Sequence, residues 1–174
     1  NQFIKLDSNG VARVDIENAE LKKTPFSYKL EMEYRDPNGE IQTISSSVPV
    51  FPSKTVVGIK QDSWILSSDK VKLQMVVLDL ESNPVPNTRV EVNMFQRKTY
   101  SNRKRLVGGF YSYDDLEEVT KIANFCNGNT DEKGYLYCEK SITEKGNILF
   151  QASASDKDGG RTFALNEVFI AGSE

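Results

Sequence analysis

Residues 26–50 read FSYKLEMEYRDPNGEIQTISSSVPV. Every second residue from Phe26 to Tyr34 is apolar or aromatic, and the residues between them are polar or charged. This period of two predicts a β-strand with one buried face. The sequence Asp-Pro-Asn-Gly follows at 36–39, as a type I turn prefers, and residues 41–50 predict a returning strand. The stretch therefore predicts a β-hairpin.

The segments on both sides of this hairpin are also rich in strand-forming patterns. Upstream, residues 3–6 and 11–16 flank Asp-Ser-Asn-Gly and predict a second, hairpin-like pair. Downstream, Pro49 and Pro52 interrupt the pattern, and we place a domain boundary here because proline cannot continue a central strand. Residues 1–52 are therefore predicted to form a partial or small β-sandwich, because a complete one has about seven strands.

Residues 53–174 predict a complete β-sandwich. Asp-Gly-Gly at 158–160 predicts a hairpin turn near its end, and residues 114–123 fit a short helix or a strand equally well. The predicted fold class is all-β, as tandem antiparallel β-sandwiches of the immunoglobulin-like, fibronectin-III-like kind. Strands are expected at 56–60, 70–80, 89–97, 135–140, 147–155 and 161–171.

The composition argues against several classes of function. The 174 residues carry 22 basic and 25 acidic side chains, a net charge of -3, and no histidine. Ser-His-Asp and Cys-His catalysis, histidine-ligated metals and histidine general bases are therefore excluded. The acidic balance argues against a nucleic-acid partner, and no run approaches the roughly 20 apolar residues of a membrane-spanning helix. We expect no enzyme, no cofactor and no membrane span in this chain.

Cys126 and Cys138 are separated by NGNTDEKGYLY, which contains the turn signals Asn-Gly and Lys-Gly. A turn there would bring the two cysteines onto adjacent strands. An even cysteine count across a turn predicts a disulfide and a secreted or periplasmic protein, and two free, partly buried thiols are the alternative. The chain begins at Asn1 rather than Met, and we expect it to be a piece of a larger protein or a mature form.

A basic segment, residues 96–105, reads QRKTYSNRKR. Basic and aromatic side chains together can bind nucleic acid, but the chain is acidic overall and an acidic run follows closely. The preferred interpretation is an exposed hairpin whose charges compensate one another. Its loop would be open to trypsin-like proteases, which cut after basic residues: Arg97, Lys98, Arg103, Lys104 and Arg105.

Two acidic motifs have ordinary structural interpretations. Four carboxylates lie in one short polar run, which suits a solvated face better than a glycosidase pair: Asp114, Asp115, Glu117 and Glu118. Asp156, Asp158 and Gly159 resemble part of a calcium loop but lack the distal glutamate that would complete it. A hairpin turn is the preferred interpretation there.

Glycine and tryptophan mark two more positions. Gly108 and Gly109 precede an aromatic run and predict a bulge or close backbone packing rather than a phosphate loop. Trp64 predicts a core or inter-domain anchor.

Several segments together resemble one known family. Residues 76–92 read VVLDLESNPVPNTRVEV, residues 107–113 read VGGFYSY, and residues 156–161 read DKDGGR. With VVGI at 56–59 and the two cysteines, this order is similar to the macroglobulin-like domains of bacterial alpha-2-macroglobulins. The hairpin before Pro52 resembles the tail of the preceding domain of such a protein.

The resemblance implies a function that composition does not show. Bacterial alpha-2-macroglobulins are large periplasmic or surface-attached protease traps, framed by strings of seven-stranded β-sandwiches. A protease cuts a bait segment, the molecule rearranges, and a thioester in a Cys-Xaa-Glu-Gln sequence captures it in some members. Here the cysteines read CNGN and CEKS, so no thioester residue carries over. The resemblance implies a non-catalytic scaffold fragment, monomeric, whose partners are neighbouring domains and, through the full-length parent, proteases.

Two alternatives remain open. An adhesin or carbohydrate-binding module of the cell surface could use the same sandwich, with Tyr111 and Tyr113 as the exposed aromatic contacts. Residues 96–105 could themselves be a bait segment, since they are basic, polar and exposed in this interpretation.

Overall fold

The computed structural model describes residues 3–15, 24–63, 65–67 and 70–171. Trp64, interpreted above as an anchor, lies outside these ranges, as does Ile16. The described residues form ten strands in three sheets, and none of them is helical. None lies in a helix long and apolar enough to cross a membrane. The all-β prediction is confirmed.

The hairpin predicted from residues 26–50 is present. Strands β1 (Phe26–Arg35) and β2 (Ile41–Val50) pair antiparallel along their full length and form a sheet of their own. The carboxylate of Asp36 closes the turn by accepting the N–H groups of Asn38 and Glu40, each at 2.9 Å. One face carries the alternating apolar side chains of β1 together with Ile44, Val48 and Val50 of β2, and the opposite face carries the charged residues of β1 together with Ser45 and Ser47.

The strands predicted at 3–6 and 11–16 are not confirmed in the described part of that range. The turn between them forms, because Gly10 donates to the Asp7 carbonyl at 3.0 Å and Asp7 donates to the Val11 carbonyl at 2.9 Å. No strand ladder continues on either side within residues 3–15. An isolated two-stranded hairpin is only marginally stable in water, and Phe3 and Leu6 are exposed rather than packed against a third layer.

The remaining eight strands form a β-sandwich of two sheets. Three strands form one sheet in the order β3-β5-β8, and five form the other in the order β4-β10-β9-β6-β7. Their bounds are β3 (Thr55–Gln61), β4 (Ile65–Ser67), β5 (Val71–Asp79), β6 (Arg89–Arg105), β7 (Tyr111–Asn129), β8 (Tyr135–Lys140), β9 (Gly146–Ser155) and β10 (Arg161–Ala171).

The order of these strands is immunoglobulin-like. β3, β5 and β8 correspond to strands A, B and E of that fold, and β6, β9 and β10 to strands C, F and G of the opposing sheet. All pairs are antiparallel except β4, which lies parallel to β10. Residues 114–123, which fit a helix or a strand by sequence, are strand within β7 because they pair with β6.

The core lies between the two sheets. Along β5, Val71, Leu73, Met75 and Val77 are buried while the residues between them are half-buried or exposed, as a period of two requires. Strands β6 and β9 add the opposite wall, and the rings of Phe125 and Phe150 meet edge to face at 5.1 Å.

Cys126 and Cys138 form a disulfide that joins the two sheets. Cys126 lies on β7 at the edge of the five-stranded sheet, and Cys138 on β8 at the edge of the three-stranded sheet, with Cα atoms 6.4 Å apart. The sequence predicts that both lie on adjacent strands. They lie on the consecutive strands β7 and β8, but these belong to different sheets, because β8 leaves the turn at 131–134 to pair with β5.

Candidate functional site

Strands β6 and β7 extend beyond the sandwich as a two-stranded arm. β9 pairs with β6 only from Val90 to Gln96, whereas β7 pairs with β6 as far as Arg105. We define the arm as residues 97–119. Apart from the half-buried Arg97 and Ser112, its side chains are exposed. The arm therefore projects beyond the end of β9 as a two-stranded ribbon exposed to solvent.

The strand register divides the charges of the arm into two zones. Near the sandwich, Lys98 lies opposite Glu118, and Arg97 makes an ion pair with Glu167 of β10 at 2.8 Å. Arg97 also lies 3.8 Å from Glu117. The charges of this zone compensate one another, as the sequence predicts.

The tip of the arm departs from that prediction. Arg103, Lys104 and Arg105 lie opposite Tyr113, Ser112 and Tyr111, respectively, because the acidic run begins at Asp114, which already faces Asn102. The guanidinium of Arg103 lies 4.2 Å from the centroid of the Tyr111 ring, within the range of a cation–π contact. The expectation of full compensation is therefore wrong at the tip, which is basic and aromatic.

The loop of this hairpin is residues 106–110, not the basic segment. The five basic residues expected in a protease-sensitive loop lie in strand β6 instead, paired to β7. Gly108 and Gly109 have φ angles of +91° and +84° and make the turn, rather than the expected bulge or close packing. Val107 is fully exposed and Phe110 is 74% exposed, so the turn presents apolar side chains to solvent.

The four carboxylates of the acidic run do not converge. They lie along the outer half of β7, where successive side chains point to opposite faces of the ribbon. Asp114 and Glu118 share one face, and Asp115 and Glu117 share the other. Asp115 accepts a hydrogen bond from the Ser101 hydroxyl. This arrangement fits the solvated interpretation.

Asp156, Asp158 and Gly159, which resemble part of a calcium loop in sequence, form the turn between β9 and β10. Oδ1 of Asp156 accepts the N–H groups of Asp158 at 3.0 Å and Gly160 at 2.7 Å. Oδ2 of Asp156 also accepts hydrogen bonds, from Ser53 and Lys54, so both carboxylate oxygens are occupied by donors within the protein. Within the part of the chain that the structure describes, no cluster of three or more Cys, Asp or Glu side chains is arranged to hold a metal ion.

Oδ2 of Asp156 connects this turn to the segment that follows β2. It accepts the backbone N–H of Lys54 at 2.7 Å and the hydroxyl of Ser53 at 3.0 Å. The Lys54 ammonium lies 2.6 Å from Asp158, which raises the pKa of the lysine. The hydrogen bond from the Lys54 backbone, helped by those from Ser53, Gly160 and Asp158, holds the pKa of Asp156 below its usual range against the opposing effect of desolvation.

The sequence pattern found the Asp156 turn but not its partner segment. Asp-Lys-Asp-Gly-Gly indicates a hairpin turn by itself, whereas nothing local indicates a contact with residues 102 positions earlier. The one local signal of such a contact is the second glycine, Gly160. Its φ is not positive, so the turn itself does not require a glycine at this position.

No protein-family model matches the chain, and no curated protein matches it in sequence. Among solved structures, it is similar to the crystal structure of Salmonella alpha-2-macroglobulin reacted with methylamine, with 8% identity and a TM-score of 0.59. That match covers 84% of this chain but only 10% of that chain. At this identity the similarity concerns the fold.

Two further solved structures match with lower TM-scores. The D00-D0 domain of intimin is 14% identical with a TM-score of 0.44, over 84% of this chain and 65% of that one. The Yersinia pseudotuberculosis adhesin InvE is 11% identical with a TM-score of 0.42, over 96% of this chain and 52% of that one.

Proposed function

We propose that the chain is a non-catalytic scaffold fragment of a bacterial alpha-2-macroglobulin-like, broad-spectrum protease inhibitor. The observation that carries the proposal is the extent of the Salmonella match. Residues 53–174 are 122 of the 174 residues, about 70%, so a match covering 84% includes part of residues 1–52. The fold likeness thus extends from the sandwich into the preceding block, as expected for consecutive modules of one frame.

The proposal assigns separate roles to the two blocks. Residues 53–174 are a complete macroglobulin-like module, and residues 1–52 belong to the module before it. Oxidising surroundings suit the Cys126–Cys138 disulfide, which supports a periplasmic, cell-surface or extracellular location. The partners are neighbouring domains of the same chain and, through the full-length parent, proteases. The protease-capturing chemistry then belongs to other parts of the parent.

The test uses the full-length parent under limited proteolysis. We expect cleavage by a protease to change the small-angle scattering profile of the parent and to retain the protease in complex. A Cys126→Ala/Cys138→Ala parent serves as a control for the scaffold, because it should keep the initial shape while unfolding at a lower temperature. A parent whose shape and protease binding are unaffected by cleavage would contradict the proposal.

The exposed arm favours a second candidate, a cell-surface adhesin or carbohydrate-binding module. Tyr111 and Tyr113 are exposed beside the basic residues of the tip, where aromatic rings could stack on a ligand. A glycan and host-protein array with the isolated chain tests this candidate. Saturable binding that Tyr111→Ala/Tyr113→Ala abolishes would favour it, provided that Tyr137→Ala, an equally exposed tyrosine on β8, keeps binding.

The hypothesis that residues 96–105 are a bait segment makes a distinct prediction. Trypsin treatment of the parent, followed by mass spectrometry of the first fragments, maps the first cut. A first cut between Arg97 and Arg105 that also triggers the change in shape would support the bait assignment. A first cut elsewhere would leave the arm as part of the frame.

A further inference from the structure

The two halves of the described chain are joined by a very short segment. β2 remains in its ladder up to Val50, and β3 begins at Thr55. We define the linker as residues 51–54, which read FPSK. Because Phe51 precedes a proline, its backbone is restricted to extended conformations, and the φ angle of Pro52 is fixed by its ring.

The carboxylate of Asp156 bonds the second half of this linker to the β9–β10 turn. Ser53 and Lys54 both donate to Oδ2, while the turn donates two backbone N–H groups to Oδ1. Hydrogen bonds to an ionised acceptor are roughly twice as strong as neutral ones. Ser53 is buried and also contacts Thr55, its hydroxyl lying 3.2 Å from that of Thr55.

Gly160 allows the linker to lie directly on the turn. A methyl group at this position would come within 2.6 Å of Oδ2 of Asp156, 2.7 Å of the Pro52 carbonyl oxygen and 2.9 Å of the Ser53 Cα. The last two are backbone atoms, so the linker itself would have to move as well as the carboxylate. The absence of a side chain at Gly160 is therefore a packing requirement of the linker.

We propose that Asp156 and Gly160 form a clamp that holds Pro52, Ser53 and Lys54 on the β9–β10 turn and thereby fixes the direction of the β1–β2 hairpin relative to the sandwich. Phe51 is the one residue between the last β2 ladder position and the clamp. The joint is thus stiff in the resting protein and becomes a hinge when the clamp opens. This inference does not depend on which parent protein carries the chain.

The clamp is tested on the full chain by two NMR measurements. In Asp156→Ala, the amide of Lys54 should exchange about tenfold faster or more, because its charged acceptor is lost. Residual dipolar couplings of the hairpin and the sandwich should fit one alignment tensor in the wild type and two in Asp156→Ala and Gly160→Ala.

Two matched variants control for the turn itself. Asp158→Asn removes a carboxylate and the ion pair with Lys54 but leaves the Asp156 contacts intact. Gly159→Ala strains the turn, whose φ is +85° there, but adds no contact within 4 Å. In both variants, the residual dipolar couplings should still fit a single alignment tensor, and the Lys54 amide should exchange as slowly as in the wild type.

The outcomes are distinguishable. If Asp156→Ala fails to fold, Asp156→Asn and Gly160→Ala give the same readouts. Two tensors in the wild type, or one tensor with unchanged Lys54 exchange in the folded clamp variants, would overturn the proposal.

Discussion

Five aspartates in the described residues close turns in the same way. The Oδ1 atoms of Asp7, Asp36, Asp79, Asp131 and Asp156 each accept the backbone N–H groups two and four residues later. Aspartate favours turns because its short side chain can replace a backbone acceptor. Among these five, Asp156 is the one whose second oxygen bonds to a distant segment. A common turn residue has thus acquired a long-range contact.

The stabilisation by Asp156 should depend on pH. Its pKa is below the ordinary 3.8 in the folded protein, so its contribution is present above that ordinary value and is lost as pH falls through the folded pKa. The neighbouring Lys54–Asp158 ion pair is present in the wild type and in Asp156→Asn, so it does not contribute to the difference between them. We expect the difference in thermal midpoint between the wild type and Asp156→Asn to be constant from about pH 5 to 8 and to shrink below about pH 4.

Thermal unfolding followed by circular dichroism at several pH values gives this comparison. Asp158→Asn is the control, because its carboxylate contacts the exposed Lys54 ammonium rather than buried linker groups. A wild-type advantage over Asp156→Asn that is equally large at pH 3 would contradict the assignment of the stabilisation to the ionised carboxylate.

Loss of the disulfide should destabilise the sandwich. Cys126 and Cys138 are 12 residues apart, and closing a loop of that size restricts the unfolded chain by about 3 kcal/mol. We expect Cys126→Ala/Cys138→Ala to lose about that much free energy of unfolding in a urea titration. Reduction of the wild type should produce a similar loss, and an unchanged urea midpoint in both cases would contradict this prediction.

At the scale of the strands, the arm should be dispensable for folding. Replacing residues 98–118 by Asn-Gly would join Arg97 to Val119 through a two-residue hairpin turn, and the buried residues of β6 and β7 would all remain. We expect cooperative unfolding with nearly the same thermal midpoint. Loss of cooperative unfolding in this shortened chain would show that the arm takes part in the core.

Most strands were predictable because their pattern is local. Local runs of strand-forming residues, alternating in β1 and more continuously apolar in β5 and β8, located these strands to within a residue or so at each end. The outer half of β6 and much of β7 were not, because exposed strands bury neither face and lose the alternation. Pairing between the two strands, rather than burial, holds residues 98–105 and 111–118 extended.

The candidate sites were predictable only where they depend on neighbours in sequence. The turn at Asp156 and the exposure of the basic segment follow from local composition. The sheet-to-sheet position of Cys138, the uncompensated tip at Arg103–Arg105 and the linker contact of Asp156 depend on register and topology. A one-residue change in the β6–β7 register would have placed Arg103 opposite Asp114, so sequence alone leaves the charge of the tip undetermined.

At the scale of the whole molecule, the sandwich should fold without the preceding block. Its buried core lies between Val57 and Ile170, and β1 and β2 pair only with each other. A chain shortened to residues 51–174 should therefore unfold within about 5 °C of the full chain. A shift in thermal midpoint larger than about 5 °C on shortening would mean that the first block supports the sandwich. In the same shortened chain, Phe150→Ala, which empties part of the core, should lower the free energy of unfolding by about 3–5 kcal/mol.

The relative direction of β3 and β10 determines how the sandwich responds to tension. Lys54 lies beside the start of β10, and Gln61 accepts a hydrogen bond from Asn166 further along, so the two strands run the same way. A pull on Val50 and Ala171 therefore acts at opposite ends of the sandwich and along its strands. Under such a load the ladders of β3 with β5 and of β10 with β9 are sheared rather than peeled, so many hydrogen bonds must break together. We therefore expect the sandwich to resist extension when it is pulled between these two residues.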